Sequence, residues 1–553
     1  MIFDQQADIP VLIVGGGPVG LTMALLLARQ NIPSVVVERR PTRADSAPKA
    51  HVVNPRSLEI LRSLDIDVDM MRSAGPPRGD QEYSRFMTTL AGIELGKIPL
   101  DTPEASAVQA TPTPLLNLAQ PKFEAILRAA AEKNAAIELR TEHDWVGCRL
   151  EDGGAISTIQ SHGSKYQIKS TFLIAADGAN SAVREFLAIP LDGNPSVRPR
   201  ITIHFEANLR ALLRDRPAIL YWILDPSVAG TFIAYDIDRT WVYTPRAMPQ
   251  IFDRAVYTDE HCATLIRNAI GVRDVELQVK HVVPWMMAAQ VATAYRRGNC
   301  FLVGDAAHRF PPTGGLGLNT GIADAHNLAW KMALALRNAA ASAILDSYDE
   351  ERRPIAENNC RQSLHNSNRL PDLFRLAEQS IIGGTVSDAG RTALGSEIST
   401  HREHFLSPGL QLGYSYGPPV RGPAEPTRYD PSANPGDRMP HAWVTHRGRR
   451  ISTLDLVDPV SFTLFTRTEA SRWQGDVVAP YGVKFVNLND GYVFETDWLK
   501  TCGLSGSGAM LVRPDGHVAR TVADDTERSR LEIAAALGSW ISALVRDNSV
   551  AAG

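Results

Sequence analysis

Several things are scarce in this chain, and each scarcity closes off a class of protein. No apolar run approaches the ~20 residues needed to cross a bilayer, so no membrane role is expected. Positive charge is not in excess: 57 Lys and Arg stand against 61 Asp and Glu, a net charge of −4. That leaves no basic footprint for nucleic acid or an anionic surface. Cysteine is rare. Cys148, Cys262, Cys300, Cys360 and Cys502 are odd in number, widely scattered and without CxxC spacing. That argues against a disulfide scaffold and against a zinc or other metal site, and for reduced thiols in a cytoplasmic protein. Met1–Asp8 has no basic stretch leading into a long apolar one, so no signal peptide is expected there. Internal repeats and low-complexity tracts are absent. What remains is 553 residues, 44% hydrophobic and 21% charged, with room for two to four domains and a large core.

One stretch organises the rest. Val11–Val14 is a short apolar run that reads as a buried strand. It leads into Gly15-x-Gly17-x-x-Gly20, with Pro18 between, and then into an apolar-periodic helix from about Leu21 to Gln30. Asn31-Ile32-Pro33 breaks that helix, and Ser34–Glu38 is a second strand ending in an acid. Each part suits a dinucleotide. Gly15 permits the tight turn, and Gly17 lets backbone approach a pyrophosphate lying on the helix N-terminus. Gly20 packs helix on strand, and Glu38 accepts from a ribose. Glycines alone would be a weak signal; strand, helix, second strand and acid at this spacing are not. No second fingerprint of this kind occurs.

Further along, Pro55–Arg62 reads as a helix with a Pro-led start, and Gln120–Arg128 opens another. Phe172–Ala176 is a second buried strand, ending at Asp177-Gly178. Between about Val197 and Pro284, short aromatic-rich runs suggest an inserted antiparallel sheet. Cys300–Asp305 returns to the buried-strand pattern. A Gly/Pro loop follows, then a long helix from about Asn319 to Arg337. Prolines crowd the stretch before Asp437, and the last segment reads as a small α/β unit with a final helix near Leu531–Leu544.

Three of these segments, taken together, resemble the class A flavoprotein aromatic hydroxylases, the family of p-hydroxybenzoate and phenol hydroxylases. They are the fingerprint with Glu38, the run Ala176-Asp177-Gly178-Ala179-Asn180-Ser181-Ala182-Val183-Arg184, and Val303-Gly304-Asp305 continuing to Gly321. The second is similar to the family's DG motif and the third to its GD motif. Pro435–His441 and Val512–His517 resemble recurring stretches of the thioredoxin-like appendage found in the phenol, chlorophenol and polyketide hydroxylase subset.

The resemblance implies an α/β fold: a Rossmann-like FAD-binding domain with an inserted antiparallel β-sheet substrate domain, plus a C-terminal thioredoxin-like α/β domain. The expected bounds are 1–370 for the FAD domain, interleaved with the substrate domain at about 83–115 and 190–290. A helical, Pro-rich connection follows at 371–437, and the appendage occupies 438–553. The implied cofactor is tightly bound, non-covalent FAD, with NADPH or NADH as transient reductant. FAD contacts are expected from Gly15, Gly17, Pro18, Gly20, Glu38, Arg39, Lys49, Gln120, Asp177, Asp305, Pro312, Gly315, Gly317, Leu318 and Asn319. Lys49 stands where the family usually has Arg. It keeps the charge but loses the bidentate fork.

The implied activity is a single-component, NAD(P)H-consuming monooxygenase that hydroxylates a phenolic or polyketide-type ring through a flavin hydroperoxide. Its partners are a small aromatic substrate and O₂, and a homo-oligomer is left open. His51 is the expected proton acceptor, since a near-neutral imidazole suits a phenol, with a histidine that only packs on the flavin as the alternative; Pro312 would stiffen the loop beside the flavin. Tyr221, Trp222, Tyr235 and Tyr243 are expected to line the aryl pocket, with simple sheet core as the alternative. Arg198, Arg200, His204 and Arg246 read as solvated charges, with contact to a phenolate or carboxylate as the alternative. A Baeyer–Villiger or ring-cleaving outcome and an FAD oxidase or dehydrogenase are the competing functions. A disulfide reductase would need a cysteine pair after the first strands, which is missing.

Overall fold

The computed structural model describes residues 8–41, 49–100, 109–246, 253, 255–473 and 482–541. The segment before Asp8, Pro48 and the expected helical residues beyond 541 lie outside these.

Among the described residues the first sheet is built on parallel strands. Asp8–Val14 sits between Ser34–Glu38 and Ser164–Ala175, and Cys300–Leu302 follows on the far side of the latter. The register matters more than the count. Val37, Val14, Ala175 and Leu302 lie side by side at the strands' carboxyl ends. All three glycine-bearing turns therefore leave the sheet at one level, as ligand crevices in open α/β sheets do. Their strands read as apolar runs because both faces are covered. The helix Pro18–Arg29 lies against the sheet, with buried Leu21, Met23 and Leu27. It starts three residues before the expected Leu21, because Pro18 is itself a good first helical residue.

The second sheet is mostly antiparallel. It runs through Glu94–Pro99, Tyr83–Met87, Leu220–Ile223, Gly230–Asp236, Thr240–Pro245, Leu191–Glu206 and Gln278–Ala292, and ends on the short strand His308–Arg309. That last pairing ties it to the turn after Leu302. One face is covered by the helix Asp259–Ile270, over a core containing Ile203, Phe205, Tyr221, Phe232, Trp241 and Tyr243.

A helix of 35 residues, Asp346–Ser380, runs past the other face. The expected boundary at 370 falls inside it. Pro354 and Pro371 both lie inside this helix. A proline costs about 3 kcal/mol inside a helix, but Leu370, Leu373, Phe374 and Ala377 pack into one cluster with Phe86 and Trp222 and hold this one together.

The C-terminal unit pairs Thr463–Thr466 in parallel with Lys484–Asn487, and antiparallel with Ala509–Val512, which pairs in turn with Val518–Val522. With the helix Glu527–Ile541 this is a thioredoxin-like arrangement. Cys502 is buried and free, and burial pushes its thiol pKa well up, so it is no redox centre. The resembling stretches turn out to be anchors. Arg438 Nε donates to Glu59 at 2.9 Å. Arg513 donates to both oxygens of Glu351 at 2.7 and 2.9 Å. Phe462, Leu511 and Ile533 share one apolar cluster with Trp330 and the first sheet.

Candidate active site

The first turn is a tight fit except at one point. Gly15 has φ 109°, and a Cβ there would lie 2.3 Å from the carbonyl oxygen of Ala176. A Cβ on Gly20 would lie 2.0 Å from Gly15 O. At Gly17 a Cβ would meet nothing within 4 Å. Gly15 and Gly20 are thus glycines for packing, while Gly17 bares backbone at the start of the Pro18 helix, which has no side-chain cap. An uncapped helix start with open backbone is what a pyrophosphate needs. Glu38 sits opposite, its two oxygens accepting from Gly16 N and Arg40 N at 2.9 Å each. Arg39 is exposed, with its side chain outside these contacts.

The three turns converge. A Cβ on Gly304 would touch Val19 at 3.0 Å, and one on Gly321 would lie 2.7 Å from Val19 and 2.8 Å from Gly304 Cα. Arg184 fastens the second turn to the third, donating to Ala306 O at 3.0 Å and Ala179 O at 3.3 Å. Asp177 accepts from Val183 N, but its Oδ1 is buried without a partner, and burial raises its pKa. Asp305 stands in the 3-10 turn Gly304–Ala306, in a recess whose mouth is open to solvent. Desolvation in this recess raises its pKa against the pull of His308, Lys49 and Arg309. Behind it, Asp324 accepts from Gly304 N at 3.2 Å, His308 Nε2 at 2.9 Å and Arg352 Nε at 2.8 Å. Burial would raise its pKa, but Arg352 and His308 outweigh that and lower it.

The loop Pro312–Gly315 leads into the helix Leu316–Arg337, which begins three residues before the expected Asn319. Gly315 takes a left-handed φ of 62° as the residue before the helix, a start with no side-chain signal. This helix too has no side-chain cap, so the amides of Leu316, Gly317 and Leu318 head the helix beside Pro312. Asn319 is one helical turn on. Its side chain is fully used: it accepts from Asn54 N at 2.9 Å and Ser57 Oγ at 2.7 Å, and donates to Val52 O and Gly315 O. Its side chain therefore braces the loop against the segment after His51.

That segment carries Lys49 and His51. Gln120 Oε1 accepts from Ala50 N at 3.2 Å and its Nε2 donates to Glu124, so its amide holds this chain in place. His51 Nδ1 lies 2.9 Å from Asn117 Oδ1. Its ring meets Tyr235 edge-on, with centroids 5.7 Å apart, and Tyr235 donates to Lys49 O at 2.9 Å. Burial lowers the His51 pKa, with the Asn117 bond partly opposing.

The structure does not bring the four expected pocket aromatics together. Tyr221 and Tyr243 lie in the core behind the second sheet, their hydroxyls given to Arg216 O and Val228 O at 3.0 Å. Side chains alternate across a strand, so Trp222 and Tyr235 point the other way. Trp222 stacks on Phe86, away from His51. Only Tyr235 joins the site. Sequence reasoning missed Asn117, Arg184 and Asp324, and also Arg128, whose Nη2 reaches Gly16 O at 3.4 Å. Asn117 and Arg128 carry no local signal; Arg184 and Asp324 lie within the resembling runs.

Open backbone at Gly17, two uncapped helix starts, the unpartnered Asp177 oxygen and the recessed Asp305 fit a pyrophosphate-linked, hydroxyl-rich cofactor. They define an FAD-binding α/β enzyme with a second sheet closing over its site. Residues 8–363 match the family described as FAD binding domain, and residues 432–543 the one described as aromatic-ring hydroxylase, C-terminal. The chain is 31% identical to the tetracenomycin B2 monooxygenase-dioxygenase of Streptomyces olivaceus over 547 residues, 95% of this chain and 97% of that one. It is 30% identical to the 2,4-dichlorophenol 6-monooxygenase of Cupriavidus pinatubonensis over 560 residues, 92% of each chain. The flavin-dependent monooxygenase PieE, solved with FAD and substrate, matches with a TM-score of 0.88 at 31% identity, over 97% of this chain and 99% of that one. Aklavinone-11 hydroxylase, solved with FAD and aklavinone, matches with a TM-score of 0.80 at 27% identity, over 97% and 99%.

The chain belongs to the FAD-dependent aromatic-ring hydroxylases. It is a flavin monooxygenase that uses FAD, with NAD(P)H as reductant. No helix among the described residues is long and apolar enough to cross a membrane.

Proposed function

We propose that this enzyme hydroxylates a phenolic or polyketide-type aromatic compound at the expense of NAD(P)H and O₂, with His51 accepting the phenolic proton. One observation carries the reading: His51 stands where the Lys49–His51 segment meets the second sheet, its Nδ1 engaged by Asn117 and its ring against Tyr235. With Nδ1–H donating, Nε2 is the basic nitrogen. Burial keeps the ring neutral, so that nitrogen is ready to take a proton. Removing the proton puts charge into the ring and makes it the better nucleophile.

FAD, when bound, supplies the activated oxygen. The chain's own part is to bind, orient and keep water out. The Gly17 backbone and the Pro18 helix start suit the pyrophosphate, Glu38 a ribose, and Asp305 the hydroxyl chain next to the ring. The amides of Leu316–Leu318 suit the ring's negative edge. Lys49 brings positive charge to the Asp305 recess. The names of the relatives support an aromatic substrate, and the five free cysteines support a reducing, cytoplasmic setting.

The test is a screen of phenols and fused-ring phenols for substrate-dependent NAD(P)H oxidation, with products read by mass spectrometry. A product with one added oxygen and an intact ring supports hydroxylation. A ring-expanded or cleaved product assigns the Baeyer–Villiger type instead. Peroxide matching all the NAD(P)H consumed, with no oxygenated product for any phenol, overturns the reading.

A further inference from the structure

The second sheet's inner face carries more positive charge than its neighbours neutralise. Along Leu191–Glu206, Ile201, Ile203 and Phe205 turn into the core beneath the Asp259–Ile270 helix. Alternation sends Arg198, Arg200 and Thr202 to the opposite face. Their cross-strand partners are Met287 for Arg198 and Trp285 for Arg200. Met287 Sδ accepts from Ser367 Oγ at 3.6 Å. Next to Ser367 is Asn366, and a Cβ on Gly314 would lie 3.4 Å from its Nδ2. The arginines thus share a wall with the Pro312–Gly315 loop. Arg246 completes the group, its carbonyl 3.5 Å from Arg200 Nη1.

Among the described residues only Arg246 has an acid, Glu378 at 2.8 Å. Arg200 is half-buried, and its side chain makes only long contacts to Pro199 O at 3.4 Å and Arg246 O at 3.5 Å. Burial, then Arg198 and Arg246, lowers its pKa to about 10. Asn366 is 2% exposed, and its Nδ2 has no partner, although its Oδ1 accepts from Gln362 at 3.0 Å. Unpaired cations and a buried unpaired donor along one wall are costly unless a ligand completes them. A guanidinium fork matches a carboxylate.

Spacing narrows the class. Tyr235, which touches His51, is level with Phe205, because its neighbour Ala234 pairs with Trp241 and Trp241 with Phe205. Arg200 is five residues back along the strand, about 17 Å at strand rise. Even after the arginine's own reach, that distance exceeds a single-ring hydroxybenzoate and suits a fused-ring system.

We propose that Arg200, with Arg198, binds a carboxylate on a fused-ring aromatic substrate, at the end of the pocket remote from His51, with Asn366 donating to the same molecule. This rests on the hydroxylase reading above and names the acid that reading leaves open.

The test uses the full-length holoenzyme and matched probes: emodic acid against emodin, and 6-hydroxy-2-naphthoate against its primary amide. Binding is followed by perturbation of the flavin absorbance. Each acid is expected to bind about tenfold or more tighter than its neutral partner, the scale of a charge-assisted hydrogen bond. Arg200→Gln should bring the acid down to the neutral partner's level, and Arg200→Lys, which keeps the charge and guards against a misfolded Gln variant, should fall between. Equal affinities in the wild type overturn the proposal. So does an Arg200→Gln variant that raises only the KM for NADPH, which would assign the cations to the reductant's phosphates. If neutral phenols are hydroxylated without any preference for acids, the hydroxylase reading stands and this inference falls. If no aromatic stimulates NAD(P)H oxidation, the hydroxylase reading fails and takes this one with it.

Discussion

Nδ1 of His51 and Oδ1 of Asn117 are 2.9 Å apart, although 66 residues separate them in the chain. The bond decides which ring nitrogen is free. It also sets the pH response. With the neutral ring as the proposed base, hydroxylation should fall as pH drops through the His51 pKa. Burial lowers that pKa and keeps the base form available below the ordinary value of about 6.5. Asn117→Asp adds an anion, which should raise the pKa by about 1 unit or more and move the acid limb of kcat/KM upward by as much. His51→Ala should cost about 10²-fold or more in hydroxylation near neutral pH and recover towards high pH, where the phenol ionises unaided. An unchanged pH profile in both variants would show that His51 moves no proton.

Gly17→Ala separates cofactor binding from folding. The added methyl has open space around it, so the apo-protein should lose no more than about 1 kcal/mol, from the altered helix start. The same methyl stands where the proposed pyrophosphate contact meets backbone, and FAD affinity should fall by about tenfold or more. Flavin fluorescence quenching measures the second and apo-protein thermal melting the first. Equal FAD affinity in the variant would move the pyrophosphate elsewhere.

Arg513→Met tests the docking of the C-terminal unit. Glu351 is buried and bonded to Arg513 and Lys331, which outweigh the desolvation and pull its pKa down to about 2. Removing Arg513 also strands buried Asp515, which it bonds at 3.0 Å. The expected loss is about 3–5 kcal/mol by urea unfolding. Cys502→Ala should leave turnover unchanged, since that thiol is buried and without a partner cysteine.

Tyr221→Phe and Tyr235→Phe should part company. Tyr221 lies in the core and gives its hydroxyl to Arg216 O, so its loss should cost about 1 kcal/mol of stability and leave substrate KM alone. Tyr235 bonds Lys49 O and touches His51, so its loss should change kcat or substrate KM. Denaturation and steady-state kinetics on the two variants check the contrast.

Acid should destabilise the fold well before its carboxylates titrate. Burial pushes His326, His404 and His517 down to about 3 and His441 to about 4. Their folded pKa values lie below the unfolded value of about 6.5, so the unfolded chain binds more protons in between. Stability is complete above about pH 6.5 and declines as pH falls towards 3–4. Replacing one of them, His404→Phe, should flatten the decline by up to about 1.4 kcal/mol per pH unit. Thermal midpoints between pH 8 and 4.5 measure it.

The parts legible in the chain are those with local demands. Apolar runs ending at Gly15, Asp177 and Asp305 announce buried parallel strands and their turns, because a strand covered on both faces must be apolar throughout. The start of the Leu316 helix was not legible, since Gly315 enters it by backbone conformation alone. Nor was the helix through Pro354 and Pro371, which distant packing stabilises.

From its sequence alone this protein is a dinucleotide-binding α/β chain with an inserted sheet, since turn geometry and burial pattern are properties of neighbouring residues. Tertiary structure alone decided which face of that sheet meets the site, and so why Tyr235 belongs to it and Tyr221 does not. It alone joined His51 to Asn117, Arg184 to Ala306 and Arg438 to Glu59. The physical reason is the same each time. A hydrogen bond between residues far apart in the chain leaves no periodicity and no spacing rule, and exists only once the strands have closed.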